Sequence, residues 1–247
     1  VGIFAKSGFA ADISAPVWVA KHERQPFGTM LSVVEGVDDF IGGAISNMWV
    51  LSNSGIGGEV DFVPHATGEL HGTAHAHTSA NANRWVQIEH GRVHFEPNKF
   101  AKCEFKFNIN DVSENETRCG FYIDANNYAY FRIAWVAGAA HIYMESNDGG
   151  VHGPYSADSG DTLTDGAEVI LTVDLGINYD NGVPVKDADT EHARFFVNGI
   201  LRGTSTLGAV PNTIMNIWFR STSTSATDII PTIDYIRWWQ HRWTFIS

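Results

Sequence analysis

Charge is what this sequence has least of. Of 247 residues only 18% are Asp, Glu, Lys or Arg, and 28 acidic side chains outnumber 16 basic ones. A net charge of −12 repels phosphate backbones, which argues against nucleic acid as a partner. Runs of ~18 apolar residues, the minimum for a spanning helix, are missing, so no membrane insertion is expected. Cysteine is nearly absent too: Cys103 and Cys119 allow at most one internal disulfide. Both fall on inward positions of neighbouring strands, where they can either bond or pack as two buried thiols. The fingerprints GxSxG, P-loop, CxxC, HExxH and the dinucleotide-binding glycine pattern are lacking, which removes those enzyme classes. The first residues, Val1-Gly2-Ile3-Phe4-Ala5-Lys6, show neither an initiator methionine nor the basic-then-apolar layout of a signal peptide. Either an upstream piece has been removed or the numbering begins inside a longer chain.

What the sequence has in quantity is aromatic and turn-forming residues, with 15 Phe, 8 Trp, 7 Tyr and 24 Gly. Helical periodicity is nearly absent, and alternation at period two recurs instead. Over residues 102–109, Cys103, Phe105, Phe107 and Ile109 face one way, and Lys102, Glu104, Lys106 and Asn108 the other. A polar turn over 110–115 opens the sequon Asn115-Glu116-Thr117, and the chain returns through a strand at 119–123. After a turn at 124–127, further strands are expected at 128–135, 141–145, 168–175, 215–219 and 232–239. Asn198-Gly199, flanked by apolar residues, specifies a two-residue type I′ hairpin because both central residues need positive φ. Many short strands at this spacing point to an all-β, two-sheet antiparallel jelly-roll sandwich rather than to βαβ units. Residues 1–27 alternate weakly and hold Pro16 and Pro26, so they read as an extended N-terminal arm, with the sandwich over 28–247. Such an arm suits self-association or docking onto a neighbouring structural protein.

The order of strands carries a resemblance. Lys102-Cys103-Glu104-Phe105-Lys106-Phe107 resembles a strand of concanavalin A-like domains, and the segments 120–123, 130–133 and 195–201 resemble those that follow it. Ile233-Asp234-Tyr235-Ile236-Arg237-Trp238-Trp239-Gln240 is similar to the closing strand of laminarinase-type glucanases. The resemblance spans roughly residues 70–240. It implies the concanavalin A-like lectin and glucanase fold, which occurs in lectins, glycan-degrading enzymes and surface or tail proteins of bacterial viruses. Its motifs carry packing rather than chemistry.

A glucanase of that kind needs E-x-D-x-x-E, with two carboxylates ~5–5.5 Å apart for the retaining mechanism. Here Glu59 and Asp61 supply the first two acids, Pro64 replaces the third, and the segment precedes the strand where the family pattern begins. Two surface acids on an edge strand account for it. Alginate-lyase-like members use Arg, Gln, His and Tyr on one sheet face to move a proton. The run Arg84-Trp85-Val86-Gln87-Ile88-Glu89-His90 holds some of these, yet Glu89 breaks the expected Q-[IV]-H triplet. No catalytic residue is assigned.

Histidines concentrate at His65, His71, His75, His77, His90 and His94, and His75 and His77 share a strand face without completing a metal site. Asp174, Asn178 and Asp180 gather oxygen ligands of the kind calcium takes, against the alternative of a solvated acidic loop. Adjacent on a strand, Trp238 and Trp239 point to opposite faces. Trp135, Tyr155 and Trp238 are the candidates to stack on a sugar ring, with core or edge covering as the alternative. The expected function is a non-catalytic structural or binding module of an extracellular or virion surface assembly, of decoration or tail type, recognising polysaccharide. The alternatives are a soluble carbohydrate-binding lectin, calcium-dependent through Asp180, and a glycan hydrolase or lyase with a non-standard catalytic pair.

Overall fold

The computed structural model describes residues 33–40, 47–54, 62–64, 74–76, 83–91, 94–149, 154–175, 178–180, 183–185, 192–206, 209–211, 213–225 and 231–241. Its strands are β1 (Val33–Asp38), β2 (Trp49–Asn53), β3 (Phe62–Pro64), β4 (Ala74–Ala76), β5 (Trp85–His90), β6 (Lys102–Ile109), β7 (Asn115–Asp124), β8 (Asn127–Val136) and β9 (Ala139–Asp148). There follow β10 (Tyr155–Leu163), β11 (Val169–Leu175), β12 (Asn178–Asp180), β13 (Val183–Val185), β14 (Ala193–Val197), β15 (Ile200–Thr204), β16 (Asn216–Ser223) and β17 (Pro231–His241). Two antiparallel sheets form a jelly-roll sandwich. The eight-stranded sheet runs β15-β14-β11-β6-β17-β4-β3, with β1 also paired to β17. The seven-stranded sheet runs β10-β9-β8-β7-β16-β5-β2, and β12 and β13 pair with each other. The arm expected at residues 1–27 lies outside the described residues, as do Glu59, Asp61, His65, His71, His77 and the side chain of His75.

Strict alternation builds the inner faces. From β6, Phe105 and Phe107 meet Phe219 of β16 with ring centroids 6.3 and 5.3 Å apart. Phe195 of β14 meets Phe131 of β8 edge-on at 5.3 Å. These contacts join the two sheets through rings that are fully buried, so the core is a mesh of side chains from both layers. Cys103 and Cys119 enter that core from opposite sheets and are free thiols. Burial pushes both thiols up from their ordinary ionisation, and at Cys103 the neighbouring Cys119 adds to the rise. They act as small apolar packing residues.

Three local expectations change. The sequon is in a strand rather than a turn: β7 begins at Asn115, and Asn115 is only 2% exposed. Its side-chain oxygen accepts hydrogen bonds from Thr117 and Ser221, so it is a core polar group and not a glycan acceptor. The strand β10 was not expected, because Ser, Asp and Gly have little affinity for strands; it survives as a sheet edge, where polar residues face solvent. In β17 the register shifts between Ile233 and Tyr235, so Ile233 and Ile236 both face inward. Unbroken alternation from Ile233 would have sent Trp238 outward; the bulge sends it into the core instead. The hairpin at Asn198-Gly199 forms as expected, with φ of 50° and 77°.

Candidate functional site

The alternation that sends Cys119, Phe121, Phe131, Ile133, Ile217 and Phe219 inward sends a different set of side chains to the outer face of the seven-stranded sheet. Register sorts that set into rows running across the strands. One row reads Asp158, Tyr143, Arg132, Arg118, Arg220, Gln87 and Ser52, each directly opposite the next from β10 to β2. The next row reads Ser156, Glu145, Tyr130, Gly120, Trp218, Glu89 and Val50. Beyond it stand Tyr128, Tyr122 and Asn216.

Gly120 makes the second row possible. A Cβ there would lie 2.5 Å from the Ala129 carbonyl oxygen and 2.8 Å from the Tyr130 Cβ, and its φ of 151° disfavours any side chain. The gap lets large rings close over the centre of the sheet. Tyr122 stacks on Trp218 at 4.3 Å and 18°, Tyr128 on Tyr130 at 4.5 Å and 25°, and Tyr130 reaches Trp218 at 5.8 Å. Trp218 is buried beneath Tyr122, and its indole nitrogen has no hydrogen-bond partner among the described residues. Tyr122, Tyr128, Tyr143 and Trp85 remain half-exposed, so the face offers flat apolar surface with polar groups beside it.

The charged groups on this face are unequally matched. Arg118 pairs with Glu116 at 2.6 Å, while Arg132 pairs with Glu145 at 2.7 Å and reaches Glu116 at 3.9 Å. Arg132 also lies over the Tyr143 ring at 4.4 Å, and Arg220 over the Trp85 ring at the same distance. Burial, and then the neighbouring Arg118 charge, hold the Arg220 guanidinium below its ordinary value. Burial pushes the Tyr130 phenol well above its ordinary value, with Arg118 opposing and Glu145 reinforcing the rise. Glu89 is held by the side-chain amides of Gln87 and Asn216. Such an array can stack on the apolar face of a sugar ring, hydrogen-bond its hydroxyls and meet an anionic substituent.

The residues expected from sequence lie elsewhere. Trp238 stands opposite Cys103 and is 6% exposed; its ring packs in the core against His90 at 4.8 Å and Trp49 at 5.8 Å. Gly36, directly opposite, leaves it room, since a Cβ would sit 2.3 Å from the indole. A buried indole cannot stack on a ligand, so Trp238 is corrected to a core residue. Trp239 points to the other side of the sheet and is buried as well. Tyr155 has inward parity, half-buried and stacked on Phe195 at 6.2 Å. Trp135 is 44% exposed at the end of β8, away from the ring cluster. Asp174 meets Arg194 at 3.1 Å and Lys102 at 3.8 Å, so its charge is already answered by two cations; the side chains of Asn178 and Asp180 lie outside the described residues. No group of three or more metal-ligating side chains occurs among the described residues. In the lyase-like run, Gln87 and Glu89 face outward, whereas His90 is 2% exposed in the core.

No protein-family model and no curated protein matches this sequence. Solved structures do match it, at the level of fold. The carbohydrate recognition domain of Emp47p superposes with a TM-score of 0.57 at 10% identity, over 85% of this chain and 97% of that one. A β-glucanase from Bacillus licheniformis gives 0.56 at 10% identity, over 83% and 97%. A protein of unknown function from Shewanella oneidensis gives 0.58 at 13% identity, over 94% and 97%. The fold is the concanavalin A-like jelly roll.

Proposed function

We propose that this protein is a non-catalytic carbohydrate-binding module whose ligand lies across the outer face of the seven-stranded sheet. One observation carries the reading. Four strands bring the half-exposed rings of Tyr122, Tyr128 and Tyr143 together on one solvent-side face, over the buried rings of Tyr130 and Trp218 and bordered by Gln87, Glu89 and Asn216. A sheet that needed only to cover a core would carry no such concentration of rings on its outer side. The lectin and glucanase structures that share the fold support a glycan as the ligand class. Of the carboxylates, Glu116 and Glu145 are occupied by guanidinium groups and Glu89 by amides, which fits binding better than bond cleavage. The reading extends to a module of an extracellular or virion surface assembly joined through residues 1–27, tested by comparing particle size with and without that segment.

The test is affinity electrophoresis through gels containing bacterial and algal polysaccharides, with reducing ends assayed in the same samples. Retardation without release of ends is expected. Tyr122→Ala, which removes the half-exposed upper ring and leaves the core untouched, is expected to weaken retention about tenfold, a loss of about 1.4 kcal/mol. Retention unchanged in Tyr122→Ala would place the ligand elsewhere, and released ends would make the protein an enzyme.

A further inference from the structure

We infer that the row Arg132, Arg118 and Arg220 selects glycans that carry carboxylate groups, so that the ligand is an acidic polysaccharide built from uronic acids. This rests on the binding face proposed above. The three arginines occupy consecutive strands β8, β7 and β16 in direct cross-strand register, Arg132 opposite Arg118 and Arg118 opposite Arg220. Like charges directly opposite one another destabilise a sheet, so a row of three is a costly arrangement for folding alone. It is also out of character for a chain of net charge −12 with 16 basic residues in all.

The row is under-compensated. Glu116 and Glu145 answer Arg118 and Arg132, but among the described residues Arg220 has no carboxylate within ion-pairing distance, and it lies over the face of Trp85. Within Arg118, the Nε is buried without a hydrogen-bond partner among the described residues. A guanidinium stacked on an indole keeps its planar fork of N–H donors free at the edge, the geometry that grips a carboxylate with two parallel hydrogen bonds. Strands are spaced ~4.8 Å apart, so the outer arginines are about 10 Å apart along a line across the strands. A chain with repeated anionic substituents, laid along that line, meets the arginines on one side and the rings of the next row on the other. A single charged sugar would engage only part of the row. Duplex or single-stranded nucleic acid is disfavoured by the chain's net negative charge.

The experiment is calorimetric titration with short oligomers of galacturonate and of alginate, beside the same oligomers after reduction of their carboxyl groups. Single-stranded DNA serves as the other polyanion. The carboxylated oligomers of at least one series are expected to bind roughly tenfold more tightly than their reduced forms, the effect of one charge-assisted bidentate contact. Arg220→Gln is expected to erase that preference, and Arg220→Lys to restore part of it. The melting temperature of Arg220→Gln should hold or rise, because the substitution removes a like-charge neighbour from Arg118. Equal binding of carboxylated and reduced oligomers would overturn the inference while leaving glycan binding intact; binding of neither would overturn both. DNA binding as tight as the uronates would make the row a general polyanion contact. A fall in melting temperature that matches the loss of binding would assign Arg220 to folding.

Discussion

The two outer faces of the sandwich use the same charged residue types in opposite ways. On the eight-stranded sheet unlike groups stand opposite one another. Arg194 faces Asp174, Asp174 faces Lys102, and Glu104 faces both Thr172 and Arg237. Glu104, only 7% exposed, accepts from the Tyr235 hydroxyl at 2.9 Å and from Thr172 at 3.2 Å, with Arg237 at 3.8 Å. Lys106 bridges Asp234 at 2.6 Å and Glu168 at 3.4 Å. On the seven-stranded sheet arginine faces arginine, and rings crowd over a glycine. The first face answers its charges with opposite ones, although the Asp174 Oδ1 and the Arg194 Nε keep no hydrogen-bond partner among the described residues. The second sets like charges side by side and leaves ring surface half-exposed.

That contrast can be broken from either side. Glu104→Ala should be the most damaging surface-side change, costing about 3 kcal/mol in urea denaturation, because it strands the Tyr235 hydroxyl and Arg237 in a nearly buried network. Its counterpart Arg220→Gln should lie within ~0.5 kcal/mol of the parent or above it. Comparable losses in the two variants would mean that the faces are not different in kind. Next in size is Gly120→Ala, expected to cost ~1–3 kcal/mol, since the new methyl meets backbone that cannot move aside. It should also perturb the near-ultraviolet dichroism of the Trp218 and Tyr130 rings. An unchanged spectrum at unchanged stability would remove Gly120 from the argument.

Much of the fold was legible in the sequence. Lys102–Ile109 forms the strand that its alternation specifies, residue for residue, and Asn198-Gly199 makes the hairpin that its dipeptide requires. The outer-face residues were half legible: with Cys119 and Phe131 facing inward, Arg118, Tyr122, Tyr130 and Arg132 must face outward. What alternation cannot supply is register between strands far apart in the chain. That Arg118 stands opposite both Arg132 and Arg220 follows from strand order and turn lengths, not from any local pattern. Trp238 went astray for a related reason. A bulge of one residue at Asp234 reverses every later side chain in β17, and nothing in Ile233-Asp234-Tyr235-Ile236 announces it.

The smallest expected effect is a difference between two tyrosines. Burial, above all, raises the ionisation of Tyr130 on the seven-stranded sheet and of Tyr235 on the eight-stranded sheet; Glu104 adds to the rise at Tyr235. Each folded value thus lies above the ordinary 10, so the native state keeps a proton that the unfolded chain gives up. Stability from these groups is complete below pH 10 and falls as pH rises beyond it. Tyr128, Tyr155 and Lys106, whose ionisations are also raised, share this alkaline decline. Replacing either Tyr130 or Tyr235 by Phe should flatten the decline, seen in urea midpoints taken between neutral pH and ~11. At pH 7 the two variants should part. Tyr235→Phe gives up the hydroxyl that donates to Glu104 and should lose about 1 kcal/mol, whereas Tyr130→Phe, which gives up a looser contact with Glu145, should lose less. An equal loss at pH 7 would show Tyr130 to be tied into its sheet as firmly as Tyr235 is into the other.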